Sequence, residues 1–185
     1  MKIRILLFTW VLAFAMISPT LAQKSTDFDR SGLYFGAGGM FAVETFNNTG
    51  GLNFDSSPGY NFRLGYRFHP NIAVEAMSER AVGFDLKGLG GEISTWTTTL
   101  NGKFFALTGQ FQPYGLLGIG AMQLKDKTPG PSLNDFGFAL RYGGGIDTYI
   151  TENLVFNMEV SYVHPQGNVD DINYVALGGG IQLRF

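Results

Sequence analysis

The chain has no cysteine among its 185 residues, and after residue 22 it has no apolar run long enough to cross a bilayer as a helix. Without cysteine an exported domain of this size has no disulfide framework, so a packed core or a membrane must hold it. A spanning helix needs roughly 20 consecutive apolar residues, so any membrane residence of the mature chain must be as a closed barrel. Charge is scarce as well: 15% of residues are charged against 45% apolar, unlike a disordered chain. What is plentiful is glycine, with 26 residues, and aromatics, with 17 Phe, 8 Tyr and 2 Trp. That mixture favours short, closely approaching strands over helices.

Residues 1–22 are a separate object. Lys2 and Arg4 give a positive start, residues 5–17 an apolar run, and Thr20-Leu21-Ala22 a small-residue exit before Gln23. This is the pattern of a cleavable export signal. No cysteine follows it to carry a lipid anchor. Its removal leaves 11 basic against 15 acidic residues, a formal charge of −4. That sign disfavours nucleic acid as a partner. Residues 23–31 read as a polar leader without pattern, and residues 32–185 as one domain.

From Leu33 onward the apolar residues recur with a period of two, the signature of strands with unlike faces. Leu33, Phe35, Ala37, Gly39, Phe41 and Val43 oppose Tyr34, Gly36, Gly38 and Met40. The second strand is the clearest: Tyr60, Phe62, Leu64, Tyr66 and Phe68 alternate with Gly59, Asn61, Arg63, Gly65 and Arg67. Further strands are read over 72–79, 96–105, 114–125, 136–149, 154–162 and 171–185, with the facing of 114–125 left open by its glycines and leucines. Connections alternate between longer loops (45–58, 81–93, 126–135, 165–170) and short turns (69–71, 106–112, 151–153). Eight strands in this rhythm predict an all-β fold, an antiparallel up-and-down transmembrane barrel. A soluble eight-stranded calyx shares the period with its faces reversed. The export signal and the aromatics near strand ends favour the membrane form, with Tyr60, Phe68, Trp96, Phe104, Tyr114, Tyr162 and Phe185 suited to two interfacial girdles.

The stretch FALRYGGGIDTYITENLVFNMEVSYVHP and the closing GGGIQLRF carry a resemblance to the outer membrane protein beta-barrel domain family, the eight-stranded group that includes opacity-type proteins and the OmpA-like transmembrane domain. The resemblance implies residence in the outer membrane of a Gram-negative cell. It also implies that Phe185, with Ile181 and Leu183 at alternate positions before it, forms the signal read by the barrel-assembly machinery. Activity is not implied, because one barrel hosts many roles.

The minority faces collect Arg63, Arg67, Lys103, Arg141 and Arg184 against Glu75, Glu79, Asp147 and Glu159. A turn at 69–71 sets Phe68 opposite Ile72 and Gly65 opposite Glu75, so Glu75 falls diagonally between Arg63 and Arg67. A filled lumen with a near-balanced charge network is the expectation for this strand number. The alternative is a small pore for ions or small solutes, gated by ion pairs that exchange partners.

An enzyme would need a nucleophile, a base and an orienting group within hydrogen-bond reach. His69 sits in a turn before Pro70 with no serine nearby. His164 lies at the outer rim near Ser161, Glu159 and Asp170, where a lipid A-modifying esterase would work. In such enzymes a serine stands two residues after the histidine, and here that residue is Gln166. Ser161 and His164 also differ in parity, so no catalytic role is assigned. The glycine runs at 36–39 and 143–145 lack the context of phosphate loops, and Asp170-Asp171 lack the spacing of a calcium loop, so no cofactor or metal is expected. The expected function is a structural or interaction role in the outer membrane. The expected partners are outer membrane lipid and lipopolysaccharide together with the assembly machinery, and no extracellular partner is legible.

Overall fold

The computed structural model describes residues 27–44, 56–85, 92–126, 134–167, 169 and 173–185. The expected export signal, residues 23–26 of the leader and much of the four longer loops lie outside the described residues. The strands are β1 (Gly32–Glu44), β2 (Ser56–His69), β3 (Ile72–Asp85), β4 (Glu92–Phe105), β5 (Phe111–Asp126), β6 (Asn134–Tyr149), β7 (Leu154–Gln166) and β8 (Tyr174–Arg184). Each pairs antiparallel with its chain neighbour, and β1 pairs with β8 to close the barrel. The seam runs from Tyr34 opposite Arg184 to Glu44 opposite Tyr174. Beyond it the Phe185 N–H donates to the Leu33 carbonyl at 2.9 Å. Closure leaves no open edge, as lipid requires, since an unpaired peptide group there would find no water.

The alternation read from the sequence sets the facing. Leu33, Phe35, Phe62, Leu64, Tyr66, Leu100, Ile119, Val160 and Ile181 point outward and are exposed, while Arg63, Arg67, Glu75, Lys103 and Arg141 point inward and are buried. The face of β5 that the sequence left open is settled by the same pattern. Leu117 and Ile119 face out, whereas Gln112, Tyr114, Leu116 and Met122 face in. Leu116 and Tyr114 are large residues on the inner side, packed with Tyr34, Ala73 and Phe105, and this is why apolarity alone could not orient the strand. Tyr114 is therefore not an interfacial aromatic: it is 5% exposed and belongs to the lumen.

Two irregularities explain where the periodicity misled. The β3–β4 register shifts between Val82 and Phe84, which breaks the alternation over 81–93, so β3 continues to Asp85 and β4 begins at Glu92. A second shift between Arg67 and His69 places His69, rather than Phe68, opposite Ile72. Gly65 still opposes Glu75. The short turns are pinned by local bonds. The Phe105 N–H donates to the Asn71 carbonyl at 2.8 Å, Tyr149 N–H to the Gln110 carbonyl at 2.9 Å, and Leu154 N–H to Thr151 Oγ1 at 3.0 Å. At the start of the β7–β8 connection Gly167 has φ +89°, a left-handed conformation that glycine adopts without steric cost.

Part of the leader is ordered against the barrel. Asp27–Asp29 form a 3₁₀ turn whose Phe28 ring lies 4.9 Å from that of Tyr149, so this stretch caps one mouth. At the seam, Gly38 pairs with Gly180 and Gly39 with Gly179, and a Cβ at Gly38 would stand 2.5 Å from the Gly179 carbonyl oxygen. Close approach is also needed at Gly65, directly opposite Tyr34, whose ring occupies the space a side chain would fill. Gly65→Val is expected to displace that ring and destabilise the barrel by about 1–3 kcal/mol, the usual range for overpacking. Urea titration of the heat-modifiable folded band checks it, and an unshifted midpoint would show that the ring is free to move.

Candidate functional site

Because lipid excludes charge from the middle of the outer wall, the charged residues at that level can only face the lumen, where they must pair with one another. They do so in tiers, taking the longer loops as the extracellular end and the short turns as the periplasmic end. Uppermost, Arg141 Nη1 lies 2.8 Å from Glu79 Oε2, and the Tyr174 hydroxyl donates to Glu79 Oε1 at 2.6 Å while bonding Thr97 Oγ1 at 2.9 Å. Arg141 Nη2 reaches down to Glu159 Oε1 at 2.9 Å. Glu159 is the hub of the next tier. Its Oε2 accepts from Arg63 Nη1 at 3.1 Å and from the Tyr114 hydroxyl at 2.8 Å. Asn61 accepts from Arg63 Nε at 3.3 Å, and Asn157 Nδ2 lies 3.4 Å from the Tyr114 hydroxyl.

Lower down, Lys103 Nζ stands 3.4 Å from Glu75 Oε2 and 3.8 Å from Asp147 Oδ2, and 3.9 Å above the Tyr114 ring. The Tyr34 hydroxyl donates to Glu75 at 3.1 Å, and Gln182 to Asp147 at 3.4 Å. The periplasmic tier holds the remaining cations. Arg67 donates to Gln112 Oε1 at 2.7 Å, to the Tyr149 hydroxyl at 3.2 Å and to the carbonyls of Phe28 and Pro70. Arg184 also donates to the Tyr149 hydroxyl and lies 5.2 Å from the Tyr34 ring. Neither arginine has a carboxylate within ion-pair distance among the described residues.

All nine charged residues singled out in the sequence are thus brought into one lumen. The partners differ from the cross-strand expectation. Glu75 does not bridge Arg63 and Arg67 but binds Lys103 and Tyr34, because Arg63 reaches across the barrel to Glu159 instead. Parity places Tyr174 in the lumen with Gln182 and Arg184, but sequence reasoning gave Tyr34, Tyr149 and Tyr174 no part in the charge network, and their phenols bond its ions. Their position on the charge-bearing parity was the available signal. A small cavity of about 10 Å³ remains beside the upper tier, lined by Met77, Glu79, Arg141, Glu159 and Ser161.

The interfacial aromatics other than Tyr114 lie on the outer wall. Tyr60, Phe68, Trp96, Phe104 and Phe185 are exposed, and Tyr162 is half-buried, 5.3 Å from the Tyr142 ring. Phe185 stacks on Phe35 at 5.9 Å, with Ile181 and Leu183 on the same face. Among the described residues, neither histidine has a hydrogen bond to a serine or threonine hydroxyl. His69 Nδ1 accepts from the Asn71 N–H at 3.2 Å. His164 bonds Asn173 at 2.5 Å on the outer wall, while Ser161 is buried in the lumen. Asp170 lies outside the described residues.

A closed eight-stranded meander with an apolar outer wall, aromatic girdles and an ion-paired interior defines the outer membrane class of barrel. Residues 9–185 match the Outer membrane protein beta-barrel domain family, and the chain belongs to that family. It is an outer membrane protein. A 22 kDa outer membrane protein of Rhizobium leguminosarum bv. viciae is 25% identical over 170 residues, covering 82% of this chain and 77% of the relative. The fold is shared with Neisserial surface protein A, at 14% identity and a TM-score of 0.72 over 84% of this chain and 98% of that one. It is shared too with Ail, the attachment invasion locus protein of Yersinia pestis, at 22% identity and a TM-score of 0.62 over 84% and 100% of the two chains.

Glu159→Ala would strand Arg63 and Arg141 together in the lumen. Breaking one partner of a buried pair costs about 3–5 kcal/mol, so a loss of at least that range is expected. Glu159→Gln, which keeps an acceptor oxygen, should lose less. Equilibrium unfolding in lipid vesicles, followed by Trp96 fluorescence, measures both, and equal losses for the two variants would remove the hub role assigned to the carboxylate.

Proposed function

We propose that the protein serves a structural or interaction role in the outer membrane, without catalysis, and that its lumen is closed. One observation carries this: the continuous chain Arg63–Glu159–Arg141–Glu79, in which every carboxylate oxygen lies within ion-pair or hydrogen-bond distance of an arginine or a tyrosine. An eight-stranded barrel is only wide enough for its own side chains, and here seven of the nine lumen charges are ion-paired. With the interior occupied, the surfaces left to meet other molecules are the outer wall and the connections between strands. The separation of Ser161 from His164 across the wall supports a non-enzymatic role. Purified protein in planar bilayers is expected to give no current steps above baseline, and regular single-channel steps abolished by Glu159→Gln would replace the closed barrel with a pore.

We also propose that Ile181, Leu183 and Phe185 form the signal for the barrel-assembly machinery. All three project from the outer wall at the closing strand, where a protein partner can reach them before lipid does. Deleting Phe185 should lower the folded level in the outer membrane several-fold while leaving refolding into detergent micelles unchanged. An equal loss in both settings would make Phe185 a packing residue, held by its stack on Phe35.

A further inference from the structure

The outer wall carries two strand cations, Arg80 and Lys125, and both lie at its extracellular end. Arg80 follows the inward-facing Glu79 and so lies on the outward parity, half-buried and without an ion pair among the described residues. The register places it in one outward row between Tyr60 and Trp96, followed by Gln123. Its guanidinium is 6.0 Å from the Trp96 ring. Lys125 is exposed one step further out, opposite Ser94. None of the strand acids with described side chains, Glu75, Glu79, Asp135, Asp147 and Glu159, shares the outward parity. Among the described side chains the outward wall is therefore cationic in this one place.

The level of the row matters. About eight residues separate Tyr60 from Phe68 at the opposite girdle, and at about 3.3 Å per residue and a tilt of about 40° they span roughly 20 Å of apolar wall. Tyr60 and Trp96 thus mark the boundary between acyl chains and headgroups of the outer leaflet. A charge at the middle of the bilayer is costly, and one at the boundary is tolerated. There Arg80 has aromatic rings on both sides and no anion among the described residues, so the group we assign to neutralise it is one the membrane supplies. Guanidinium presents a planar fork suited to phosphate oxygens, and an ammonium nearby adds a second point charge.

We propose that Arg80 and Lys125, flanked by Tyr60, Trp96 and Gln123, form a binding site for a phosphate of the lipopolysaccharide headgroup on the outer wall of β2–β5. The sugar face of such a headgroup lies against the two aromatic rings, its phosphate takes the guanidinium, and its acyl chains run down the apolar wall beside Phe62 and Leu100. The location in the extracellular half favours this lipid over the glycerophospholipids of the inner leaflet.

The test uses the full mature protein in detergent micelles, titrated with bisphosphorylated lipid A, its dephosphorylated form and phosphatidylglycerol, with bound lipid counted by native mass spectrometry. Wild type is expected to retain the phosphorylated lipid A at least tenfold more tightly than Arg80→Ala/Lys125→Ala, and the dephosphorylated form no more tightly than that variant does. Arg80→Lys should keep most of the binding. Heat-modifiable migration of each variant reports folding, and Lys125→Ala alone supplies the comparison if the double variant does not fold. Equal retention by wild type and variants would overturn the site. Phosphatidylglycerol retained as tightly, with the same dependence on Arg80 and Lys125, would overturn the assignment to lipopolysaccharide.

Discussion

A peptide group facing hydrocarbon has no water to bond, so the sheet must consume every one of its own edges. The β1–β8 seam meets that demand, and much else about the chain follows from it. A closed ring of eight tilted strands has a set circumference, hence an interior of set width. Residues on the two parities are then sorted by solvent: what lipid accepts points out, and what it rejects is confined to a narrow cylinder. The ion pairs are the result of that confinement more than its cause.

Within the cylinder the charges are not evenly spread. Arg63, Arg141, Glu79 and Glu159 balance one another in the upper tiers, and Lys103 faces both Glu75 and Asp147 below them. Arg67 and Arg184 at the periplasmic mouth are left to phenol, amide and carbonyl oxygens. The Phe28 carbonyl, which accepts from both Arg67 and Gln112, ties the leader to this excess. A short segment outside the sheet thereby adds to the hydrogen bonding of the lowest tier and covers it with an aromatic ring.

The outer wall of this protein was legible because lipid enforces alternation. Tyr60 to Phe68 could be assigned to one face from residue types alone, and so could the inward placement of Arg63, Arg67 and Glu75. Legibility failed where the wall leaves the membrane or breaks step, as at the shift between Val82 and Phe84, since no solvent there punishes a mixed face. It failed also on β5, where Tyr114 and Leu116 are apolar enough for either side. Which charges pair was beyond parity, because Arg63 and Glu159 meet across the barrel from strands that share no ladder. Cross-strand neighbours are a local rule, and a lumen one side chain wide makes distant strands neighbours too.

The glycines of the seam carry a mechanical consequence. Where Gly38 meets Gly180 and Gly39 meets Gly179, the two strands contribute no side chains to either surface, and the join is backbone alone. Side chains flank most other pairs along this seam, as where Phe35 meets Leu183 and Phe41 meets Leu177. At the glycine patch the two backbones meet directly, and the cylinder has there a bare fastening line, tight because no side chain intervenes.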